Sequence, residues 1–372
     1  MILEVFQLFP QDNIWAWILQ VAWLIVFVGF MFYGQRIQMY VMLREVENSL
    51  NRLKYMRDKG KKIAIETVNE LGKPKQDPTA KINEFLEYIA IPPQSMDPAG
   101  VVWKLEHILD VRETRFKDEV KLMAPEADDI QINNLENTLE AALALNIIYK
   151  VIRHFYLLGK KTLSLYIIMQ LQMVLPLIMR EAKAYASALK AFTDGQPIGD
   201  GAGPLIAAKL MNKHKKRKIA KDIVVATVPI EGRKAYVLKA EGPGGNLGKP
   251  GEGIKQIIEE KKGKIATIVV IDAAQKLEGE KPGEVAGGVG VAIGGPGVEQ
   301  FKAEEALVKY KIPVNAVIIK EDIGDAVSTM RKEIFDAADN AIQRIKNLIL
   351  ERTKKGDSII IAGIGNTIGI GQ

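Results

Sequence analysis

The chain has 372 residues, of which 48% are hydrophobic and 26% charged, and this is enough for two domains with a sizeable core. It has no cysteine, which excludes disulfides, thiolate zinc sites, iron–sulfur clusters and a cysteine nucleophile. Its three histidines exclude a histidine-rich metal centre. The net charge of +6 is modest and no known basic binding motif accompanies it, so we expect no nucleic-acid partner. The abundance of Lys, Glu and Ile without cysteine is typical of a thermophile.

An uncharged apolar stretch lies near the N-terminus. Residues 14–33 read IWAWILQVAWLIVFVGFMFY, and about 20 such residues cross a bilayer. Trp15, Trp17 and Tyr33 sit near its ends, as in an aromatic belt. Residues 1–13 contain no Lys or Arg, which argues against a cleaved signal peptide, whereas residues 36–62 carry eight. The positive-inside rule therefore predicts a single-pass anchor (1–34) in the cell membrane, with the N-terminus outside and the bulk of the chain cytoplasmic.

A charged helical stalk is predicted over residues 35–72. Val46, Leu50, Leu53 and Met56 are spaced by three or four residues, so the stalk could pair with another helix or with its own copy. A solvated stalk is the preferred interpretation because this seam is short and irregular. The sequence GKPKQDPT then predicts a linker.

An α-helical middle domain is predicted over residues 78–193. Inside it, residues 163–179 are apolar except for Ser164, Gln170 and Gln172, and they include Pro176. Two Gln and a Pro near the centre favour a buried or membrane-apposed helix, with a second membrane segment as the alternative. The stalk and this domain together are the expected surface for a homo-oligomer.

Glycine, proline and apolar strands become frequent in residues 194–372. Strands alternate there with helices, which predicts a three-layer α/β domain. The predicted strands cover residues 223–229, 235–239, 265–271, 289–293, 314–319 and 358–362. The predicted helices cover residues 205–212, 253–260, 298–310 and 326–352, and the basic run 213–221 is interpreted as a surface turn.

The strand over residues 265–271 is the centre of this domain. It is apolar and β-branched apart from Thr267, which is typical of a strand buried on both faces of a parallel sheet. It ends in Asp272, and open α/β sheets place ligand crevices at the carboxyl ends of their strands. The alternative is that Asp272 caps the following turn.

Four glycine-rich stretches interrupt the domain. Their sequences are GDGAGP, EGPGGNLGKPGEG, GGVGVAIGGPG and GIGN, at residues 199–204, 241–253, 287–297 and 363–366. The first three precede predicted helices, whose free N–H groups can bind an anion or nucleotide. None is a P-loop or a GxGxxG motif after a strand, so ordinary βα turns are the alternative.

The order of these motifs resembles that of the spore germination protease and the hydrogenase maturation endopeptidases. In that superfamily a strand ending in G-hydrophobic-G-N comes first, then an acidic loop with a helix, then a strand ending in D-A. Here DGAGP at 200–204 and VVIDA at 269–273 resemble the second and third parts, while GIGN lies at the end. The C-terminal half is therefore similar to a circularly permuted form of this domain. The whole chain also resembles an uncharacterised archaeal membrane-protein family, which implies a location but no activity.

This resemblance implies a phosphorylase/hydrolase-like fold in which two aspartates face one crevice. Asp200 and Asp272 would then either share a proton and activate water, or hold a divalent metal that polarises a peptide carbonyl. No third metal ligand is evident, because His214 lies in a basic run and is expected to be solvated. The implied activity is an endopeptidase acting on a peptide or protein, with either no cofactor or a divalent metal. The residues expected to line the crevice are Gly201, Gly203, Gly363, Gly365 and Asn366.

Two other functions remain open at this point. A non-enzymatic scaffold in the lipid bilayer could oligomerise through its stalk and helical domain. A nucleotide or anion sensor could bind its ligand with the glycine-rich loops.

Overall fold

A computed structural model describes residues 14–93 and 100–372. The first 13 residues of the predicted anchor therefore lie outside the described residues. The described chain forms two compact units. One comprises the described part of Met1–Tyr55 together with Ile148–Met179, and the other comprises the described part of Met56–Ile147 together with Arg180–Gln372.

Long helices dominate the first half of the chain. The helices before residue 194 are α1 (Ile14–Gly72), α2 (Thr79–Phe85), α3 (Val101–Met123), α4 (Asp129–Thr162) and α5 (Leu165–Thr193). The predicted anchor and stalk form one helix, α1, whose axis bends by 55° between Trp17–Met31 and Tyr33–Gly72.

Two described helices, α4 and α5, are long and apolar enough to cross a membrane, and a third span results if the two parts of α1 count as one. Large apolar side chains of the N-terminal part of α1, such as Trp23 and Phe30, are about 70% exposed. The structure is thus compatible with membrane association through two or three apolar helices, whereas the sequence predicted one.

The prediction of a solvated stalk is wrong. Val46, Leu50 and Leu53 of α1 are buried in the first unit, and Ala64 and Val68 are fully buried in the second. The three- and four-residue spacing of these apolar side chains gives α1 a stripe that packs inside each unit.

A seven-stranded mixed sheet forms the centre of the second unit. Its order is β1-β2-β3-β7-β4-β6-β5, in which β3, β7, β4 and β6 run parallel and the strands at both edges are antiparallel. The strands are β1 (Lys216–Ala220), β2 (Ile223–Ile230), β3 (Arg233–Ala240), β4 (Thr267–Gln275), β5 (Val285–Val289), β6 (Val314–Glu321) and β7 (Ser358–Gly363).

Helices cover both faces of the sheet, and this confirms an α/β domain of three layers. They are α6 (Ala202–Met211), α7 (Pro250–Glu260), α8 (Val298–Tyr310), the short α9 (Ile323–Val327) and α10 (Lys332–Arg352). One apolar core contains side chains of α6 and α10, and a second core on the opposite face contains those of α7 and α8. Each core is filled by alternate residues of the same central strands, because successive strand side chains point to opposite faces.

Three predicted elements differ from the structure. The basic run assigned to a turn contains β1, an edge strand whose charged residues stay in solvent. β5 ends where the predicted strand 289–293 begins. The helix predicted over 326–352 is two helices, α9 and α10, separated by an extended segment that pairs Thr329 with Ile198.

The position of β7 determines where a site can form. This last strand lies in the middle of the sheet, parallel to β3 on one side and β4 on the other. Because parallel strands end at the same edge, the GIGN sequence after β7 lies beside the ends of β4 and β6.

Candidate active site at the carboxyl edge of the sheet

Asp272 lies near the end of β4 and is 9% exposed. Its Oδ1 accepts a hydrogen bond from the backbone N–H of Ala273 at 2.8 Å. Burial raises the pKa of this carboxyl to about 7, and the negative charge of Asp200 adds to the rise. Backbone N–H groups of Ala273 and Gly294 act in the opposite direction, but they do not compensate for the lost solvation.

Asp200 reaches the same edge from a different part of the chain. It lies in the 3₁₀ turn Gly199–Gly201 that leads into α6. The first turn of α6 touches the sheet backbone: a Cβ at Gly203 would lie 2.2 Å from the carbonyl oxygen of Ile364 and 2.6 Å from that of Ile271. Only glycine permits this approach, which carries Asp200 over the ends of β7 and β4.

The carboxylate of Asp200 is held by the GIGN sequence. Its Oδ2 accepts a hydrogen bond from the backbone N–H of Asn366 at 2.7 Å. Gly365 has φ +129°, and a Cβ there would lie 1.9 Å from the carbonyl oxygen of Asp200. Burial raises the pKa of Asp200, although the bond from Asn366 opposes the rise.

The predicted crevice residues are thus brought together, but the glycines contact protein backbone. A Cβ at Gly363 would lie 2.4 Å from the carbonyl oxygen of Gly203, and one at Gly201 would lie 3.0 Å from that of Asn366. These glycines allow the Asp200 turn to pack on the sheet. Contact of the same residues with a ligand stays a prediction.

A third carboxyl group, Glu321, was missed by the sequence analysis. It ends β6, is 2% exposed, and its Oε2 has no hydrogen-bond partner among the described residues. Burial raises its pKa to about 9, with further contributions from the charges of Asp200, Asp325 and Asp272. The sequence did contain a signal, because Glu321 follows an apolar strand just as Asp272 does.

Glu321 lies directly beneath the turn that carries Asp200. A Cβ at Gly199 would lie 2.3 Å from Glu321 Oε2 and 2.4 Å from the carbonyl oxygen of Asp325. Asp325 Oδ2 is also buried without a partner in the described part of the chain, while its Oδ1 lies 3.5 Å from Nη1 of Arg331.

Asp200 interacts electrostatically with carboxyl groups on both sides of the sheet. Asp272 continues the alternation of Ile268 and Val270, which face α7 and α8, whereas Glu321 continues that of Val317 and Ile319, which face α6 and α10. The charge of Asp200 raises the pKa of both, so it lies close to each of them.

A cleft between the helical part of the second unit and the sheet edge leads to Asp200. It consists of two adjoining pockets of about 360 and 290 Å³, the larger of which is lined by Asp200 and Tyr185. Residues common to both pockets are Arg112, Asn137, Glu140, Leu247 and Asn366. We call these two pockets the acidic cleft, because carboxylates outnumber cations in the smaller one, which is lined among others by Glu106, Asp110, Glu113, Glu136, Glu140, Asp222 and Glu299.

Asn366 connects the cleft to the helical part. Its Nδ2 donates to Asn137 Oδ1 at 3.0 Å, and its Oδ1 accepts from the backbone N–H of Ile368 at 2.9 Å. Asn137 in turn donates to the carbonyl oxygen of Gly245 in the loop before α7. No feature of the sequence had indicated that α4 supplies part of the site.

Within residues 14–93 and 100–372, no three His, Asp or Glu side chains are placed so that they could hold a metal ion. His214 is not part of the cluster, since its Nδ1 lies 2.9 Å from the carbonyl oxygen of Asn212 in an exposed turn.

Two family models cover almost the whole chain. The model described as "Protein of unknown function (DUF1512) N-terminal domain" matches residues 20–195, and that described as "Domain of unknown function (DUF1512) C-terminal" matches residues 198–371. No curated protein matches the chain.

Proposed function

The chain belongs to the DUF1512 family, and from this premise we propose that it is a membrane-anchored hydrolase that cleaves peptide bonds with Asp200 and Asp272. One observation supports the proposal above all. Three carboxyl groups from separate segments meet at one sheet edge, and the pKa of each is raised, by burial first and then by the charges of other members for Asp272 and Glu321. Such perturbed groups are concentrated at functional sites, because a fold gains no stability from burying like charges together.

The proposed chemistry needs one protonated and one ionised carboxyl group. Near neutral pH Asp272 is half protonated, and Glu321 is protonated. An ionised carboxylate of the Asp200–Asp272 pair accepts a proton from water while the water oxygen attacks the amide carbonyl carbon. The protonated member then gives its proton to the leaving nitrogen as the C–N bond breaks. Because the pair is coupled, its two apparent pKa values belong to both residues together.

The negative charge of the acidic cleft favours a cationic segment of the substrate over an anionic ligand. Among the described residues, seven carboxyl groups line its smaller pocket, against four cations that line the pocket or pair with these groups, which are Arg112, Lys221, Lys249 and Lys302. The net negative charge would repel a bound phosphate and attract a peptide with Lys or Arg beside the scissile bond. The same charge disfavours the nucleotide or anion sensor.

The location we propose is the cell membrane, with the N-terminal part of α1 as the anchor and the α/β domain on the cytoplasmic side. The exposed apolar side chains of residues 17–31 and the basic residues that follow support this orientation. A cytoplasmic site would act on cytoplasmic proteins or on the juxtamembrane ends of membrane proteins.

The test is cleavage of a peptide library by the full-length protein in lipid nanodiscs. We expect products cut next to basic residues, and we expect Asp200→Asn and Asp272→Asn each to reduce cleavage by about 10³-fold or more, since either change removes a member of the proton-transferring pair. Asp339→Asn is the matched control, because this side chain is 78% exposed and pairs with Lys209 on the surface. The rate should follow a bell-shaped pH profile with its maximum between the two apparent pKa values of the pair, and we expect one of these values to lie near 7.

Folding of each variant is checked by tryptophan fluorescence, to which Trp103 contributes from the second unit; its ring contacts that of Phe301 at a centroid distance of 5.9 Å. Full activity of either folded aspartate variant would overturn the proposal. Activity that is restored by divalent cations after chelation would replace the proton-sharing mechanism by a metal-assisted one.

A further inference from the structure

Residues 148–179 form a helical hairpin within the first unit. Residues 148–162 of α4 and 165–179 of α5 are its two arms, and only Leu163 and Ser164 separate the helices. The arms pack closely at the tip, where a Cβ at Gly159 would lie 2.4 Å from Cδ1 of Ile168. The facing side is buried through Ile152, Tyr156, Ile168, Leu171 and Leu175.

The outer side of the second arm is an exposed apolar stripe. Tyr166, Met173 and Leu177 are 69%, 77% and 69% exposed, and Met169 between them is 42% exposed. Their spacing of three, four and four residues places them along one face of α5. A contiguous stripe of this kind on a folded unit marks a surface that contacts something else.

The charge of the hairpin identifies the partner. Residues 141–180 contain no Asp or Glu, and the arms carry Lys150, Arg153, Lys160 and Lys161. An apolar face combined with purely basic charge is typical of elements that lie on anionic lipid. A second copy fits less well, because a two-fold interface would bring the same basic hairpins together.

The connections of the hairpin restrict how it meets the bilayer. Residues 56–147 and 180–372 belong to one compact unit, so the chain must leave that unit and return to it on the same side of a membrane. The hairpin therefore crosses twice or not at all. Each arm has 15 residues and is about 22 Å long, which is shorter than the hydrocarbon core of about 30 Å.

Polar residues in the middle of both arms make it unfavourable for the hairpin to cross the bilayer. Arg153 and His154 lie in the middle of one arm, and Gln170 and Gln172 lie in the middle of the other. Gln172 also donates a hydrogen bond to Glu45 of α1, within the same unit. Glu45 is twelve residues, or about 18 Å of helix, beyond Tyr33 at the end of the apolar stretch, so the hairpin packs on the charged part of α1.

We propose that the hairpin formed by Ile148–Met179 is a second membrane-contact element, which lies in the interface of an anionic leaflet with its Tyr166–Met173–Leu177 stripe in the lipid. It holds the chain to the membrane at a second point besides the N-terminal helix. This inference does not depend on whether the α/β domain is catalytic.

The chain suits a direct test because it has no cysteine. Met173→Cys in the full-length protein is labelled with the fluorophore NBD and reconstituted into vesicles of phosphatidylcholine with or without phosphatidylglycerol. We expect emission at shorter wavelength and quenching by brominated lipids in the anionic vesicles. Leu122→Cys on α3 is the control, since this side chain is 70% exposed and should report water in both. Replacing Lys160 and Lys161 by Gln should raise the phosphatidylglycerol fraction that the Met173 signal requires.

Three results would overturn the proposal. The first is a water-like signal at Met173→Cys that equals that of the control. The second is protection of a Leu163→Cys label from dithionite in vesicles whose Leu122→Cys label is bleached, which would show that the hairpin tip crosses the bilayer. The third is a Met173 signal that disappears when the protein is diluted in excess lipid, which would show that a second copy covers the stripe.

Discussion

Two clusters of buried ionisable groups lie in the second unit, and they differ in whether opposite charges compensate one another. Around Lys302 of α8, a 5% exposed ammonium group lies among Glu106, Glu252 and Glu299, with N···O distances of 3.5 Å to Glu252 and 3.4 Å to Glu299. Lys249 joins the same cluster through Glu106 at 3.5 Å, and it also pairs with Asp110 at 2.7 Å. Around Asp200, by contrast, the buried carboxyl groups of Asp200, Asp272 and Glu321 form no ion pair among the described residues, whereas the neighbouring Asp325 lies 3.5 Å from Nη1 of Arg331.

The pKa values show what the difference means. Burial alone would lower the pKa of Lys302, but its carboxylate partners, with Glu106 first, raise it instead. At the carboxyl edge of the sheet no such compensation occurs, and burial raises the pKa of Glu321 to about 9. The Lys302 cluster links α3 to α7 and α8, so its role is structural. We call Asp200, Asp272 and Glu321 the acidic cluster. Burying these carboxyl groups together lowers the stability of the fold, which is expected of a functional site.

Lys302→Met should produce the largest loss of stability. It leaves Glu106, Glu252 and Glu299 partly buried without their shared cation, and breaking such a pair typically costs about 3–5 kcal/mol. The measurement is urea unfolding of the full chain in detergent, followed by the change in tryptophan fluorescence; Trp103 contributes to this signal from outside the N-terminal apolar stretch, and its partner Phe301 adjoins Lys302.

Lys255→Met is the matched control for this change. Lys255 lies on the neighbouring helix α7, where it pairs with Glu305 at 3.1 Å, and Glu305 is 46% exposed. Its loss should cost about 1 kcal/mol or less. Equal losses for Lys255→Met and Lys302→Met would contradict the view that the Lys302 cluster is a compensated buried network.

Glu321→Gln should do the reverse and stabilise the protein. In the unfolded chain Glu321 ionises near its ordinary pKa, whereas its pKa in the folded protein is about 9. The contribution of this group to the free energy of unfolding is therefore fully present below about pH 4.5 and is lost as the pH rises toward 9. The amide does not titrate. We therefore expect the variant to be more stable than the wild type by up to about 5 kcal/mol at pH 8, since each pH unit above 4.5 adds about 1.4 kcal/mol, and to match it near pH 4.

The two pH values separate the electrostatic explanation from a packing effect. A packing effect would be the same at pH 4 and pH 8, and so would contradict the assignment of a buried, protonated carboxyl. Glu351→Gln, at an exposed position on α10, controls for the general loss of one negative charge. If Glu321 also positions the proposed pair, the stabilised variant should lose activity, as is common where stability and function compete.

Much of the acidic cluster could be predicted from sequence because its members sit next to strong local signals. Asp272 follows an apolar β-branched strand, and Asp200 lies in a glycine-rich turn before a helix. Glu321 follows an apolar strand as Asp272 does, but no glycine-rich motif follows it. In the structure the next residue, Asp322, caps α9 by accepting from the N–H of Gly324 at 3.0 Å.

Other features could not be predicted because they depend on contacts far apart in the chain. Nothing local shows that β7 inserts between β3 and β4, or that Asn137 of α4 meets Asn366 across 229 residues. The Lys302 cluster could not be predicted for the same reason, because lysines and glutamates on helices such as α3 and α8 are normally expected to face solvent. The stalk was misjudged because its spacing was weak evidence for burial, and only the surrounding helices make Ala64 and Val68 core residues.

The smallest effect is expected at an exposed ion pair that has good geometry. Arg217 Nη2 of β1 and Glu260 Oε2 of α7 lie 2.6 Å apart, closer than most pairs around Lys302, but the two side chains are 51% and 41% exposed. Water solvates both groups before and after the bond is broken, so Arg217→Gln should change stability by about 0–1 kcal/mol in the same urea experiment, and less at high salt. A loss as large as that of Lys302→Met would mean that distance, and not burial, sets the value of a charge pair in this unit. The high pKa of Glu321 could then no longer be attributed to burial, and burial would no longer distinguish the buried carboxyl groups around Asp200 from the Lys302 cluster.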